Sequence, residues 1–246
     1  MFILDVLPTR SDGAAANMAT DFLLLQRYPA AGHVRFRHYG WHRPAVTFGY
    51  SQKLNWVRDK LRTLHGEGDA LDTIELCRRP TGGGVVDHRA DWTYTLVLPR
   101  EHPLTAGRLI ELYRVVHTAL ADALREQGCE AELKQRCEAS DADDACAGAG
   151  VCFRRPELYD VVRVSDGAKL AGAALKRGKR GLLLQGSIAR DPAALDDWES
   201  FGESFIDRLA RVLDCTPASP GSFQLDDDEV SALAEQYASS DWLEQR

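Results

Sequence analysis

Cys152 and Lys169 are the two residues whose types and spacing best suit covalent chemistry. A cysteine thiolate is a strong nucleophile, and an ammonium group within a few ångströms favours it over the thiol, whose ordinary pKa is about 8.5. Lys169 stands in the second strand of an expected hairpin whose first strand begins just after Cys152. Burial lowers the pKa of an amine, so a lysine there stabilises a thiolate, then accepts and returns a proton as the bond to sulfur forms and breaks. Position alone fits a buried thiol and an ordinary strand lysine at least as well, since free cysteine is among the most buried residue types.

A second constellation is Arg78-Arg79-Pro80-Thr81-Gly82-Gly83-Gly84, a glycine loop with two arginines at its mouth, set between runs of strand formers. Its backbone amides can approach an anion or wall an extended ligand, which makes Arg78, Arg79, Thr81, Gly82, Gly83 and Gly84 candidate binding residues; a plain connecting loop is the other reading. The loop lacks the G-x-x-x-x-G-K-[ST] pattern of a Walker motif. His88 follows it, with the chemistry of an acid or base, although a lone histidine more often has a structural role. Cys137, Cys146 and Cys152 are separated by eight and five residues with no histidine nearby, which fits no usual zinc spacing, so no metal is expected.

The elements that must position these residues follow from periodicity. Met18, Phe22 and Leu25 predict a helix over Asn17 to Tyr28 with Asn17 as its cap. Strands are expected at Val34 to Tyr39, Ala45 to Phe48, Ile74 to Arg78 and Thr93 to Leu98, with Gly49 marking a tight backbone site. Leu109, Leu112, Val116, Ala119 and Ala123 form one apolar stripe of a helix over Thr105 to Gln127, read as packing the core and carrying no site residue. Residues 138–150, "EASDADDACAGAG", have no apolar period and read as a mobile acidic loop. Three strands in an antiparallel meander are expected next, at Leu158 to Ser165, Lys169 to Lys176 and Leu182 to Ile188. Period-two alternation puts Ala171 and Ala173 on the face of Lys169, leaving room above it, with Gly172 and Ala174 packed on the other side. Helices are expected at Ala194 to Leu213 and Asp227 to Tyr237. The fold class is therefore α+β in a single domain over residues 1–246, a largely antiparallel sheet flanked by helices.

Composition sets outer bounds. The 246 residues carry a net charge of −7, with 44% hydrophobic and 27% charged residues, the mix of an ordinary globular chain. Broad attraction to nucleic acid or an anionic membrane is not expected, and no apolar run reaches the roughly 18 residues of a membrane span. The chain start lacks a signal-peptide pattern, which leads to an expectation of a cytoplasmic home with the six cysteines reduced. The basic cluster Lys176-Arg177-Gly178-Lys179-Arg180 reads as a solvated hairpin tip or a docking point.

Taken in order, "NMATDFLL" (17–24), "VTFGYSQ" (46–52), "RRPTGGGVVDH" (78–88), "DWTYTLVLP" (91–99), "KLAGAALKR" (169–177), "LLQGSI" (183–188) and "YASSDW" (237–242) resemble the lipoate-protein ligase and octanoyltransferase superfamily, almost end to end. That resemblance implies a catalytic domain of the biotin/lipoate protein ligase type. Its ATP-dependent ligases and its cysteine-dependent transferases share the glycine loop and the strand lysine, whereas "CFRRPELYDVV" (152–162) looks like the octanoyltransferase branch.

The resemblance implies a ping-pong reaction. Cys152 takes an octanoyl or lipoyl group from a thioester on acyl carrier protein and passes it to a lysine of a lipoyl domain or a glycine-cleavage H protein, with no cofactor. Lys169 contacts the thiol and the substrate carbonyl, and Arg78, Arg79, Thr81, Gly82, Gly83, Gly84, His88, Gly172 and Ala173 bind substrate. A monomer is the family-like expectation. Two other readings stay open: a ligase using ATP and Mg through lipoyl-AMP, and a noncatalytic acyl- or carrier-binding homologue. Three departures from the family pattern motivate the last: Arg89 where an aspartate is usual, Gln185 where a histidine is usual, and Ala173-Ala174-Leu175 in place of a more polar strand.

Overall fold

The computed structural model describes residues 1–28, 30–65, 73–136, 156–221 and 223–245; Cys137, Cys146, Cys152 and the acidic stretch 138–150 lie outside them. Strands β1 (Phe2–Val6) and β2 (Arg10–Asp12) precede helix α1 (Ala14–Gln26), and β3 (His33–Trp41) and β4 (Ala45–Phe48) precede α2 (Leu54–His65). Next come β5 (Glu75–Arg78), β6 (Val85–Asp87), β7 (Asp91–Pro99), α3 (Pro103–Ala106) and α4 (Leu109–Glu126). Four strands follow, β8 (Ala131–Leu133), β9 (Val161–Arg163), β10 (Lys169–Arg177) and β11 (Gly181–Ala189). The chain closes with α5 (Arg190–Ala193), α6 (Trp198–Val212), β12 (Cys215–Ala218), α7 (Asp227–Ala238) and α8 (Ser240–Glu244).

The main sheet runs β12-β1-β3-β7-β11-β10-β9-β8, with β2 on β3. Its pairs from β3 through β7 to β8 are antiparallel and those among β12, β1, β2 and β3 are parallel, so the sheet is mixed and largely antiparallel, as expected. A second sheet, β5-β4-β6, holds the two ends of the glycine loop, a separation that strand patterns alone did not reveal.

Alternation along the strands decides which face meets which helices. Phe36, Tyr94, Leu96, Leu184, Ile188 and Ala171 point to one face and pack against Leu112, Val116 and Leu120 of α4 and Phe201, Phe205 and Leu209 of α6. Each such side chain, fully buried, contributes about 1.5–3 kcal/mol. The opposite face carries Arg37, Tyr39, Thr93, Thr95, Gln185 and Ser187, and α1 covers part of it through Asp21, which accepts from Arg37 Nη1 at 2.9 Å, Tyr39 Oη at 3.0 Å and Thr95 Oγ1 at 2.7 Å. The polar residues of these strands are thus gathered on one face, partly under α1.

Several element ends differ from expectation: β9 keeps only Val161–Arg163 of the strand expected at Leu158 to Ser165, and the helix expected from Thr105 begins at Leu109, with Thr105 in the separate α3. Helix α1 starts three residues early, with Gly13 at its N-cap and the Ala14 amide donating to Glu75 Oε2 at 2.7 Å, so Asn17 is interior and spends its amide on the carbonyls of Asp12 and Gly40. The helix expected from Ala194 starts four residues late, at Trp198, because Ala194 takes a left-handed conformation that ends α5 and Asp197 caps the start of α6 by accepting from the Glu199 and Ser200 amides.

Candidate active site

Strand β10 positions Lys169 through a β-bulge. Lys169 lies opposite Val162 and Ala171 opposite Val161, so two steps on β10 match one on β9 and the alternation shifts there. The expected face is thereby corrected. Ala171 turns into the core under α4 and α6, and Lys169 ends beside Gly172 instead. A Cβ built on Gly172 would sit 2.7 Å from both Cε and Nζ of Lys169 and 3.0 Å from Asp160 Oδ1, so only glycine leaves this space open.

Lys169 is only 8% exposed and forms an ion pair with Asp160, Nζ to Oδ2 2.7 Å. Asp160 is fully buried, and its carboxylate also accepts from the Tyr113 hydroxyl and from the Glu157 amide at 2.6 Å. The Tyr113 oxygen in turn accepts from the Ala173 amide at 3.0 Å, and burial together with the neighbouring carboxylate raises its pKa well above the usual phenol value, so it stays a donor. One turn along α4, His117 Nδ1 lies 2.7 Å from the carbonyl of Tyr159, and burial pushes this imidazole down to about 4, leaving it neutral. Helix α4, read from its apolar stripe as core only, therefore also supports the site.

A narrow cavity of about 60 Å³ opens from Lys169 along β10. Of the expected contacts, Arg79, Gly83, His88, Lys169, Gly172 and Ala173 line it; Arg78, Thr81, Gly82 and Gly84 do not. The glycine loop is docked rather than loose. Gly49 donates to the Gly84 carbonyl at 3.1 Å, Tyr50 to that of Thr81 at 2.8 Å, and Arg79 Nη2 to that of Gly82 at 2.7 Å. A Cβ on Gly49 would fall 2.0 Å from the Gly83 oxygen, which is why the chain needs glycine where the sequence showed a tight backbone site.

Arg78, an expected substrate contact, has its guanidinium on the chain's own backbone. Its guanidinium donates to the carbonyls of Trp242 (3.0 Å), Tyr50 (2.5 Å), Gln52 (2.7 Å) and Leu243 (2.6 Å), while Trp242 Nε1 returns a bond to the Arg78 carbonyl at 2.9 Å. The fork ties α8 and the 50–52 turn to β5, a geometry that a lysine point charge does not match. Arg78→Lys is expected to lower stability by about 3 kcal/mol, since several buried carbonyls lose a charged donor at about 1–3 kcal/mol each; a urea unfolding curve measures it.

The polar groups facing the cavity are largely spent on one another. His88 has Thr47 Oγ1 at 2.8 Å from Nε2 and Asp91 Oδ2 at 2.6 Å from Nδ1, and it stacks on Trp41. Thr81 Oγ1 donates to Gln185 Oε1 at 2.7 Å, and Gln185 Nε2 donates to Asp21 Oδ2 at 2.7 Å, so the glutamine that replaces a usual histidine bridges the glycine loop to α1. Arg89 pairs with Asp87 at the edge of an open groove, which Pro156, Asp166, Lys169 and Asp191 also line. Lys169 thus stands between a narrow cavity and an open groove.

The three described cysteines are poor nucleophiles. Burial pushes the Cys77 thiol up to about 12 and Cys215 up to about 11, and raises Cys129. Sequence reasoning missed Asp160, Tyr113 and His117. Their signals are a carboxylate opening the run Asp160-Val161-Val162, and two residues with polar tips four apart on an otherwise apolar helix face.

The sequence profile of the lipoyl protein ligase A/B catalytic domain matches residues 13–237. The chain is 34% identical over 215 residues to octanoyltransferase LipM of Kyrpidia tusciae, covering 85% of this chain and 75% of that protein. It is 34% identical over 181 residues to octanoyltransferase LipM of Geobacillus kaustophilus, covering 72% of this chain and 62% of the relative. Among solved structures, a putative lipoate protein ligase from T. acidophilum with bound lipoic acid superposes with a TM-score of 0.70 at 17% identity, over 98% of this chain and 99% of that one. Lipoate-protein ligase A bound with ATP gives 0.68 at 15% identity, over 99% and 98%. At these identities the structures speak to the fold.

Proposed function

Because the chain belongs to the lipoyl protein ligase A/B catalytic domain family, we propose that it is an octanoyltransferase of protein lipoylation, working through a Cys152 acyl-enzyme. Similarity to octanoyltransferases along 85% of the chain carries this reading.

In the first half-reaction the Cys152 thiolate attacks the carbonyl of an octanoyl thioester on acyl carrier protein. The new C–S bond forms, the carrier's C–S bond breaks, and the carrier thiolate leaves and takes up a proton. In the second, the neutral ε-amine of a lysine on a lipoyl domain or a glycine-cleavage H protein attacks the Cys152 thioester. The amide C–N bond forms, Cys152 is released as thiolate beside the Lys169 ammonium, and the amine's proton is lost to water. Exchange of one thioester for another is nearly balanced and amide formation is downhill, so the chain supplies positioning and electrostatic stabilisation and needs no cofactor.

The geometry supports this division of labour. Cys152 precedes Pro156, a residue of the open groove beside Lys169, by four residues, and four residues span at most about 14 Å. The cavity has room for about four to six water-sized spheres at roughly 10–15 Å³ each. With its polar groups turned to one another, that slot suits a slim apolar chain over a branched or charged one. No described helix is long and apolar enough to cross a membrane. A cytoplasmic monomer is part of the proposal by family resemblance.

Intact-mass measurement after mixing with octanoyl acyl carrier protein, without ATP, tests the proposal. One octanoyl adduct is expected, which disappears when a lipoyl domain is added and reappears on that domain. An adduct on the lipoyl domain that needs free acid and ATP would overturn the reading in favour of a ligase. No transfer under either condition would favour the noncatalytic homologue.

A further inference from the structure

We propose that Asp160, gripped from α4 by Tyr113 while His117 holds the carbonyl of the preceding Tyr159, is a positioning residue that holds the Lys169 ammonium at the head of the narrow cavity through both half-reactions. This rests on the transferase reading and names a part of its machinery that the motifs do not contain.

A lysine side chain has four rotatable bonds, and its ammonium wanders unless something pins it. Among the described residues Asp160 is the ion-pair partner of Lys169, at 2.7 Å, and the pair is almost wholly buried. Asp160 is itself pinned at every level. Its carbonyl accepts from the Lys134 amide at 2.9 Å, its amide donates to the Glu157 carbonyl at 3.0 Å, and its two carboxylate oxygens are shared among Tyr113, Glu157 and Lys169. The preceding Tyr159 takes the left-handed conformation, φ 66°, uncommon for a residue with a side chain, and its carbonyl meets His117 Nδ1 at 2.7 Å. Tyr113 and His117 are four apart on α4, so one rigid helix face grips two successive residues of the loop.

The strain at Tyr159 turns the Asp160 carboxylate toward the cavity wall, and α4 holds it there. The consequence is electrostatic as well as geometric. A buried ammonium without a counter-charge either loses its proton or swings out to water, and in both cases the positive charge leaves the place where a thiolate and a developing oxyanion need it. Lysine has three donors, and the pair with Asp160 occupies one, so donors remain for sulfur and the substrate carbonyl.

Steady-state transfer from octanoyl acyl carrier protein to a lipoyl domain reads the role. Asp160→Asn is expected to lower kcat about 100-fold with the acceptor KM within about threefold of wild type, and Tyr113→Phe to lower kcat about tenfold. Asp160→Glu, which keeps the charge, is expected to recover at least about a tenth of wild-type turnover. Wild-type kcat in Asp160→Asn, a rise in KM with kcat unchanged, or Asp160→Glu no better than Asp160→Asn would overturn the proposal. If Asp160→Asn does not fold, Tyr113→Phe, which removes only a hydroxyl from a packed ring, carries the test alone. Labelling with acetic anhydride, read by peptide mass, separates this inference from the reading beneath it. Lys169 is expected to be protected in the wild type and labelled in Asp160→Asn whether or not the protein transfers octanoyl groups. Equal labelling in both sinks the clamp, whereas absence of transfer by the wild type sinks the transferase.

Discussion

Cys152→Ala is expected to abolish the octanoyl adduct and to reduce transfer to the lipoyl domain by at least about 10³-fold, the scale on which removal of a covalent nucleophile acts. The described thiols offer no substitute. Cys77 and Cys215 are held at about 12 and about 11 by burial, so at neutral pH almost none of either is thiolate, and Cys77 is closed off within the core around α1 and β5. Cys129 is raised in the same direction and lies among the buried residues beneath α4. A variant lacking only Cys152 therefore keeps five cysteines, and none of the three described ones lines the cavity or the groove beside Lys169. Intact mass and a radiolabelled transfer assay measure the two effects separately. A Cys152→Ala protein that still carries the adduct would assign the chemistry to Cys137 or Cys146, and one that transfers at the wild-type rate would remove covalent catalysis altogether.

Gly172→Ala is the second large expected effect, and it arises from one methyl group. The new Cβ would lie 2.7 Å from Lys169 Nζ and 3.0 Å from Asp160 Oδ1, both inside normal contact. The backbone at Gly172 is ordinary strand, so alanine introduces no conformational strain. The ammonium is the far end of a flexible chain and yields before the sheet does. Its displacement by about 1 Å is expected to cost about 10²-fold in kcat, because reaction rates fall steeply when a catalytic group leaves its geometry. The melting temperature should change by only a few degrees, since the strand pairing with β11 is untouched. Turnover and thermal unfolding measured on the same preparation decide it. Wild-type turnover would show that the Lys169 position seen beside Gly172 is not the working one. The glycine after Leu170-Ala171 makes room for the lysine's own tip, whereas of the two alanines expected to leave space Ala171 is in the core and Ala173 is further along the wall.

Gln185 and Arg89, departures that raised the prospect of a noncatalytic homologue, have clear physical places. Gln185 satisfies both Thr81 and Asp21 with its amide, giving and accepting one bond each at 2.7 Å. A residue with a single ring nitrogen on each side would have to make the same bridge with its tautomer fixed. Arg89 pairs with Asp87 in the open groove and leaves the cavity untouched. Neither change removes a group from beside Lys169.

Much of this protein was already determined by the sequence alone. Strand and helix periods placed β4, β7, β10, β11 and α7 within a residue or two, because which side of an element is apolar is a local property that burial then enforces. The glycine loop, Lys169 and His88 were visible by type and spacing, and the structure brings Arg79, Gly83, His88 and Lys169 to one cavity. Tertiary structure decided the rest. The bulge between Lys169 and Ala171 arises from pairing with β9, a strand whose register no local pattern specifies, and it reverses which neighbours share the lysine's face. Arg78 and Arg79 are identical in type and adjacent in sequence, yet alternation along the chain sends one to four carbonyls of α8 and the 50–52 turn and the other to the cavity wall. Tyr113 and His117 lie beside the apolar stripe of a helix read as purely core-packing, and what each holds shows only once its partner is known. The chemistry of Lys169 is thus written in its residue type, whereas its partner, its face and the space for its ammonium come from groups distant in sequence that only the folded chain brings within hydrogen-bonding distance.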